Sequence, residues 1–129
     1  MVTELKQRAR RLKIDLEPAA RVEAAGCDFL WRHHMQWYGV QRKQLDDFVA
    51  SLNDGRLTKE VGQMKASVEL PVIVVEGKIR FINNVLASVN GYSTREITED
   101  GWQGRILSLM HMGVHVQYST DRGDTARWV

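Results

Sequence analysis

The 129-residue chain carries 18 lysines and arginines against 16 aspartates and glutamates, with 43% hydrophobic and 26% charged residues and a single cysteine. A chain of this size buries a real core as one domain without disulfides or a structural metal, and no apolar run approaches the roughly 20 residues that span a bilayer. Cys27 has no second cysteine to pair with and no Cys/His spacing fits a zinc site, so an internal disulfide is excluded and a zinc site is not expected. The first 13 residues lack the apolar core and cleavage site of a secretory signal, which sets the expectation of a cytoplasmic protein, or a nuclear one in a eukaryote. A net charge of +2 permits nucleic-acid binding without demanding it.

In chain order, Thr3 and the spacing of Leu5, Ala9 and Leu12 predict a helix over residues 4–13, with Pro18 as its outer limit. Residues 19–40 turn toward valine and aromatics and predict two or three antiparallel strands, with a hairpin near His33 and His34. Leu45, Phe48, Val49 and Leu52 recur at i, i+3, i+4, i+7, the stripe of an amphipathic helix that Asn53-Asp54-Gly55 ends. A second short helix is expected over residues 57–65. The apolar run from Leu70 to Val75 reads as a central strand, with Pro71 at its start. Residues 78–100 read as irregular or loosely helical. Trp102, Ile106, Leu109 and Met110 form another helical stripe, Gly113 suits its end, and Val114, Val116 and Tyr118 alternate as a strand. Another helix opens from Asp121.

Chemistry concentrates between Asp28 and Arg56. On a strand, Gln41 and Lys43 share a face while Arg42 points the other way. If Asp28 lies on the neighbouring strand, its carboxylate joins them and one pocket holds a carboxylate, a second oxygen donor and an ammonium group. That inventory suits metal-assisted phosphodiester hydrolysis: a hard Mg²⁺ or Mn²⁺ takes oxygen ligands, and lysine orients water or stabilises developing charge. Each residue has a plainer alternative. Asp28 could satisfy backbone donors at a strand end, Lys43 could be solvated, and Asp47 could be the i, i+4 partner of Lys43. Arg56 suits a phosphate or a carboxylate. His33 and His34 read as hairpin-tip residues facing solvent or DNA, and Trp31, Trp37 and Tyr38 as packing residues. Arg10 and Arg11, in the basic N-terminal segment, could meet phosphates or form a solvated face.

The run QRKQLDD followed by SLNDGRL resembles the signature of the XPF-type endonuclease family, in which GD precedes ERKxxxD and a segment of the form S-L-N-x-G-R-L comes one helix later. The aspartate of GD falls on Asp28, the arginine and lysine of ERK on Arg42 and Lys43, and the last aspartate on Asp47. The resemblance extends to Ile14-Asp15-Leu16-Glu17-Pro18, to the strand from Leu70 to Gly77, and to Gly113-Val114-His115-Val116. It implies an α/β fold of restriction-endonuclease-like type, a central mixed sheet flanked by helices, formed by residues 1–129 without the family's first strand and last helix.

The resemblance also implies a hydrolase of branched, flap or four-way (Holliday) junction DNA in repair or recombination, dependent on Mg²⁺ or Mn²⁺, of a kind plausible in phages and bacteria. Asp28 and Gln41 would stand near the metal, Lys43 near the nucleophile and Arg42 would brace the site, with Asp47 beside them; Arg10, Arg11 and Arg56 would contact double-stranded or branched DNA. A homodimer, or a hetero-pair with another nuclease-type subunit, is consistent with the family. Three departures bear on activity. Gln41 replaces the glutamate of ERK, Cys27 replaces the glycine of GD with Gly26 one place early, and an acidic group is missing unless Glu17, Glu23 or Glu76 substitutes. The alternative function is a DNA-binding pseudonuclease or a non-catalytic nuclease subunit.

Overall fold

The computed structural model describes residues 15–16, 27–87 and 93–128. The helix expected over residues 4–13, the basic pair Arg10 and Arg11, and the candidate acids Glu17 and Glu23 lie outside these residues. Strand β1 (Asp15–Leu16) pairs antiparallel with β2 (Phe29–His33), which pairs antiparallel with β3 (Gln36–Gln44) in the register Phe29↔Val40 to His33↔Gln36. The expected hairpin closes through His34 and Met35 at φ 49° and 65°. Two consecutive left-handed residues give the turn whose twist matches that of the strands it joins.

Strand β3 runs directly into helix α1 (Leu45–Asp54), and a single residue, Gly55, separates it from helix α2 (Arg56–Ser67). Gly55 has φ 82°, a backbone conformation that glycine adopts without steric cost. The chain returns as β4 (Leu70–Glu76), parallel to β3 from Tyr38↔Leu70 to Gln44↔Glu76. Strand β8 (His115–Ser119) lies parallel on the other side of β4, giving the order β1-β2-β3-β4-β8. Val72 to Val75 are buried, as expected for an interior strand covered on both faces.

The expectation for residues 78–100 is corrected. Strands β5 (Phe81–Ile82), β6 (Val85–Ala87) and β7 (Ser93–Thr98) form a second, antiparallel three-stranded sheet. Asn83 and Asn84, at φ 51° and 64°, make the two-residue turn between β5 and β6. Asparagine tolerates left-handed geometry better than other residues with a side chain. Strands β5 and β6 are too short for alternation to show in sequence, and the Asn-Asn pair was the available signal.

Helix α3 (Glu99–His111) begins where Thr98 Oγ1 accepts the Gly101 N–H at 3.1 Å, an N-cap, and helix α4 (Arg122–Trp128) follows β8. Among the described residues no helix is long and apolar enough to cross a membrane.

The main core joins Leu45, Phe48 and Val49 of α1, Leu57 and Val61 of α2, Ile73 and Val75 of β4, and Trp102, Ile106 and Leu109 of α3. Trp102 meets Phe48 edge-on, with ring centroids 5.5 Å apart. Met110 does not join this stripe and is 52% exposed. It lies eight residues beyond Trp102, about 80° further round the helix, whereas Leu109 returns to within about 20°. On the opposite face of the main sheet, Val40, Val72 and Val74 pack with Phe29 and Trp31, whose ring stacks on Tyr38 at 5.4 Å.

Candidate metal and nucleophile site

The register of β3 on β4 divides its last residues between the two sheet faces. Gln41 pairs with Ile73 and Lys43 with Val75, both in the core beneath α1 and α2, whereas Arg42 pairs with Val74 on the other face. Gln41 and Lys43 therefore share the helix-covered side. Asp28 stands beside this segment: its N–H donates to Val40 O at 2.8 Å and its Oδ2 accepts the Arg42 backbone N–H at 2.7 Å. Although solvent reaches Asp28, the protein packed around its carboxyl raises its pKa above the ordinary value. The Arg42 backbone bond and the charges of Lys43 and Arg42 oppose that shift, and Glu60 adds to it. Burial pushes the neighbouring Cys27 thiol up to about 11, which leaves it unreactive at neutral pH.

Lys43 is the most enclosed charge in the site, its side chain 7% exposed. A buried ammonium needs carboxylate partners. Its Nζ lies 3.3 Å from Asp47 Oδ2, one helical turn on, and 3.2 Å from Glu60 Oε2 on α2. The Glu60 contact is an ion pair without hydrogen-bond alignment, and Oε2 is buried with no hydrogen-bond partner. Gln41 Oε1 is likewise buried and without a partner. A buried acceptor without a hydrogen bond costs about 1–3 kcal/mol, and an orphaned carbonyl oxygen at Gln41 with a carboxylate oxygen at Glu60 that has only an ion pair suits a cation. Among the described residues, no three His, Cys, Asp or Glu side chains form a ready metal cage. The oxygens of Asp28, Gln41 and Glu60 are nonetheless the donor type a hard divalent ion takes.

Arg42 serves the other face. Its Nε donates to Glu76 Oε1 at 2.9 Å and its Nη2 to Glu76 Oε2, a bidentate pair. This guanidinium holds the Glu76 carboxyl below its ordinary range. Thr125 of α4 donates its hydroxyl to Glu76 Oε1 at 2.8 Å and stands 2.5 Å from Ser119 Oγ. Glu76 is thus not the substitute acid of the pocket, since strand alternation turns it to the far side of the sheet.

Arg56 Nε donates to Asp54 Oδ2 at 2.7 Å, and its Nη2 lies 3.8 Å from Asp47 Oδ1, placing it at the rim. Gln41 and Lys43 share one sheet face, Asp47 pairs with Lys43 and Asp28 binds the Arg42 backbone beside them, while the Arg42 side chain lies on the other face. Sequence reasoning missed Glu60. Its signal was a carboxylate at i+3 from Leu57, at the edge of the Leu57/Val61/Met64 stripe that faces the core.

The sequence model of the ERCC4 domain family matches residues 6–129, and the chain belongs to this family of DNA nucleases, which generally depend on a divalent metal. The mixed sheet flanked by helices is the restriction-endonuclease-like fold. It superposes on XPF from Aeropyrum pernix in complex with DNA with a TM-score of 0.51 at 21% identity, covering 70% of this chain. The match spans 40% of that chain, so this chain corresponds to less than half of its length. No curated protein sequence matches the chain.

Proposed function

We propose that the domain hydrolyses phosphodiester bonds in branched, flap or junction DNA with the help of Mg²⁺ or Mn²⁺. The observation that carries this reading is the buried Lys43 ammonium, held among carboxylates on the same sheet face as the unpartnered oxygen of Gln41. The family and a fold shared with a DNA-bound XPF support it.

A divalent ion, when bound, would polarise the scissile phosphate and lower the pKa of water. The chain's own residues supply the rest. Asp28 presents an anionic oxygen whose orientation is fixed by the Arg42 backbone N–H. Gln41 presents a carbonyl oxygen. Lys43, its ammonium fixed by Asp47 and Glu60, orients the attacking water and stabilises charge as it develops on the phosphate. The Arg42–Glu76–Thr125 chain braces this strand end from behind. At the rim Arg56, and in the N-terminal segment Arg10 and Arg11, would meet backbone phosphates, and affinity for DNA would then fall linearly on a log–log plot as salt rises.

The neutral amide of Gln41 favours a second reading, a DNA-binding pseudonuclease that keeps fold and surface without turnover. Incubation of end-labelled flap and four-way junction DNA with Mg²⁺ or Mn²⁺ separates the two. The nuclease reading expects metal-dependent cleavage by the parent that Lys43→Ala removes. Retained junction binding without cleavage in either metal would establish the pseudonuclease instead.

A further inference from the structure

The ion-pair geometry on α2 carries one step more. We infer that Glu60 is the second anionic oxygen ligand of the divalent ion, joining Asp28 across the pocket and leaving Gln41 as a neutral donor. This inference rests on the metal-dependent reading above.

Glu60 flanks the buried Leu57/Val61/Met64 stripe of α2 and is 29% exposed, but its Oε2 is buried, where a carboxylate oxygen is costly unless its charge is met. Lys43 meets it in part at 3.2 Å, but the same ammonium also serves Asp47 at 3.3 Å. Asp47 and Glu60 therefore share a single buried ammonium, and Asp28, which stands beside the same strand end, has no ion pair of its own among the described residues. The Arg42 guanidinium is committed to Glu76 on the other face, and Arg56 is committed to Asp54 at 2.7 Å and reaches Asp47 only at 3.8 Å. The pocket is left with negative charge in excess, which a dication would neutralise.

One observation points to where that ion sits. Among the described residues three buried side-chain oxygens have no hydrogen-bond partner; one is Ser51 Oγ, and the other two, Glu60 Oε2 on the helix and Gln41 Oε1 on the strand, belong to the Lys43 side of the sheet. Divalent-ion affinity follows the number of charged oxygen ligands and tolerates some freedom in which element supplies them. In this chain the strand gives the neutral oxygen and the helix gives the charge.

The test is Mn²⁺ binding to the full chain without DNA, followed by electron paramagnetic resonance, for the parent, Glu60→Gln and Gln41→Glu/Glu60→Gln. Glu60→Gln should weaken Mn²⁺ binding at least roughly tenfold, the scale of losing one charged oxygen at such a site. Moving the charge to the strand in the double variant should bring affinity back to within about threefold of the parent. An unchanged affinity in Glu60→Gln, or a loss that the double variant does not recover, would leave Glu60 as an ion-pair partner of Lys43 and overturn the inference, as would a parent that binds no Mn²⁺. Should Glu60→Gln not fold, Mn²⁺ added to the ¹⁵N-labelled parent must broaden the Glu60 and Val61 amide signals, and sharp signals there overturn it. Cleavage separates this inference from the nuclease reading. A parent that binds Mn²⁺ through Glu60 and cuts no DNA sinks the nuclease reading alone, and one that cuts DNA with an affinity indifferent to Glu60 sinks the ligand alone.

Discussion

Arg42 contacts two carboxylates with two different parts of itself: its guanidinium clasps Glu76 below the sheet while its backbone N–H donates to Asp28 Oδ2 above it. The residue that supports the site is thus also the one that orients its carboxylate. Glu76→Ala leaves the guanidinium without its partner and Thr125 without its acceptor. Breaking a fully buried pair costs about 3–5 kcal/mol, and because the Arg42 side chain keeps 28% exposure the loss should fall near the bottom of that range. Urea unfolding would show it as a lowered midpoint at constant slope. A midpoint within error of the parent would mean that the clasp contributes nothing to stability.

The same two carboxyls should give stability opposite dependences on pH. Glu76 has its folded pKa depressed by the Arg42 hydrogen bonds, so its contribution is present above the unfolded value near 4.5 and is lost as pH falls through the folded pKa. Asp28 has its folded pKa raised by desolvation, so its contribution is present below 3.8 and is lost as pH rises through the folded pKa. Asp28→Asn keeps an oxygen for the Arg42 N–H and removes the ionisation. Compared with the parent across roughly pH 3 to 7, it should gain stability toward neutrality, and Glu76→Gln should lose it in the same direction. Parallel pH curves for all three proteins would refute both assignments.

Gly39 tests the packing under the hairpin. A Cβ there would lie 2.6 Å from Cys27 Sγ and 3.1 Å from both Val68 methyls. Gly39→Ala should therefore destabilise by about 1–3 kcal/mol through overpacking. Cys27→Ala removes the closest atom, so the double variant should be more stable than the sum of the two single changes. Thermal unfolding of the four proteins measures the coupling, and strict additivity would place the strain elsewhere.

Gln41→Glu places a carboxylate beside the shared ammonium and should raise metal-dependent cleavage by at least roughly tenfold, about 1.4 kcal/mol in the barrier. Lys43→Ala in that background should remove the gain, because Arg42 faces the other side of the sheet and cannot substitute. Flap and junction cleavage, with folding checked by circular dichroism, decides it. A folded, DNA-binding Gln41→Glu protein that cuts nothing would favour the pseudonuclease.

Elements with a long periodic signature were legible. The Leu45/Phe48/Val49/Leu52 stripe foretold α1, Asn53-Asp54-Gly55 its end, and the apolar run from Leu70 foretold β4. Strand alternation likewise separated Arg42 from Gln41 and Lys43. The second sheet was hidden because β5 and β6 are shorter than one clear alternation and their turn uses Asn-Asn in place of a glycine pair. Glu60 was hidden for a different reason. Its distance along the chain from Lys43 means nothing until α1 and α2 fold back over β3, and only tertiary structure turns a charge at the edge of a helical stripe into half of an ion pair.

Gly55 ends one helix and begins the next, with no residue to spare. The two helices consequently keep a fixed rotational phase. One extra residue at this corner would turn α2 by about 100° about its own axis if the helix held its place, carrying Glu60 away from Lys43 and bringing an outward-facing neighbour toward the core. The charge distribution of the pocket is therefore written partly in chain length: the α1–α2 corner would tolerate many changes of side chain at exposed positions but no change of count.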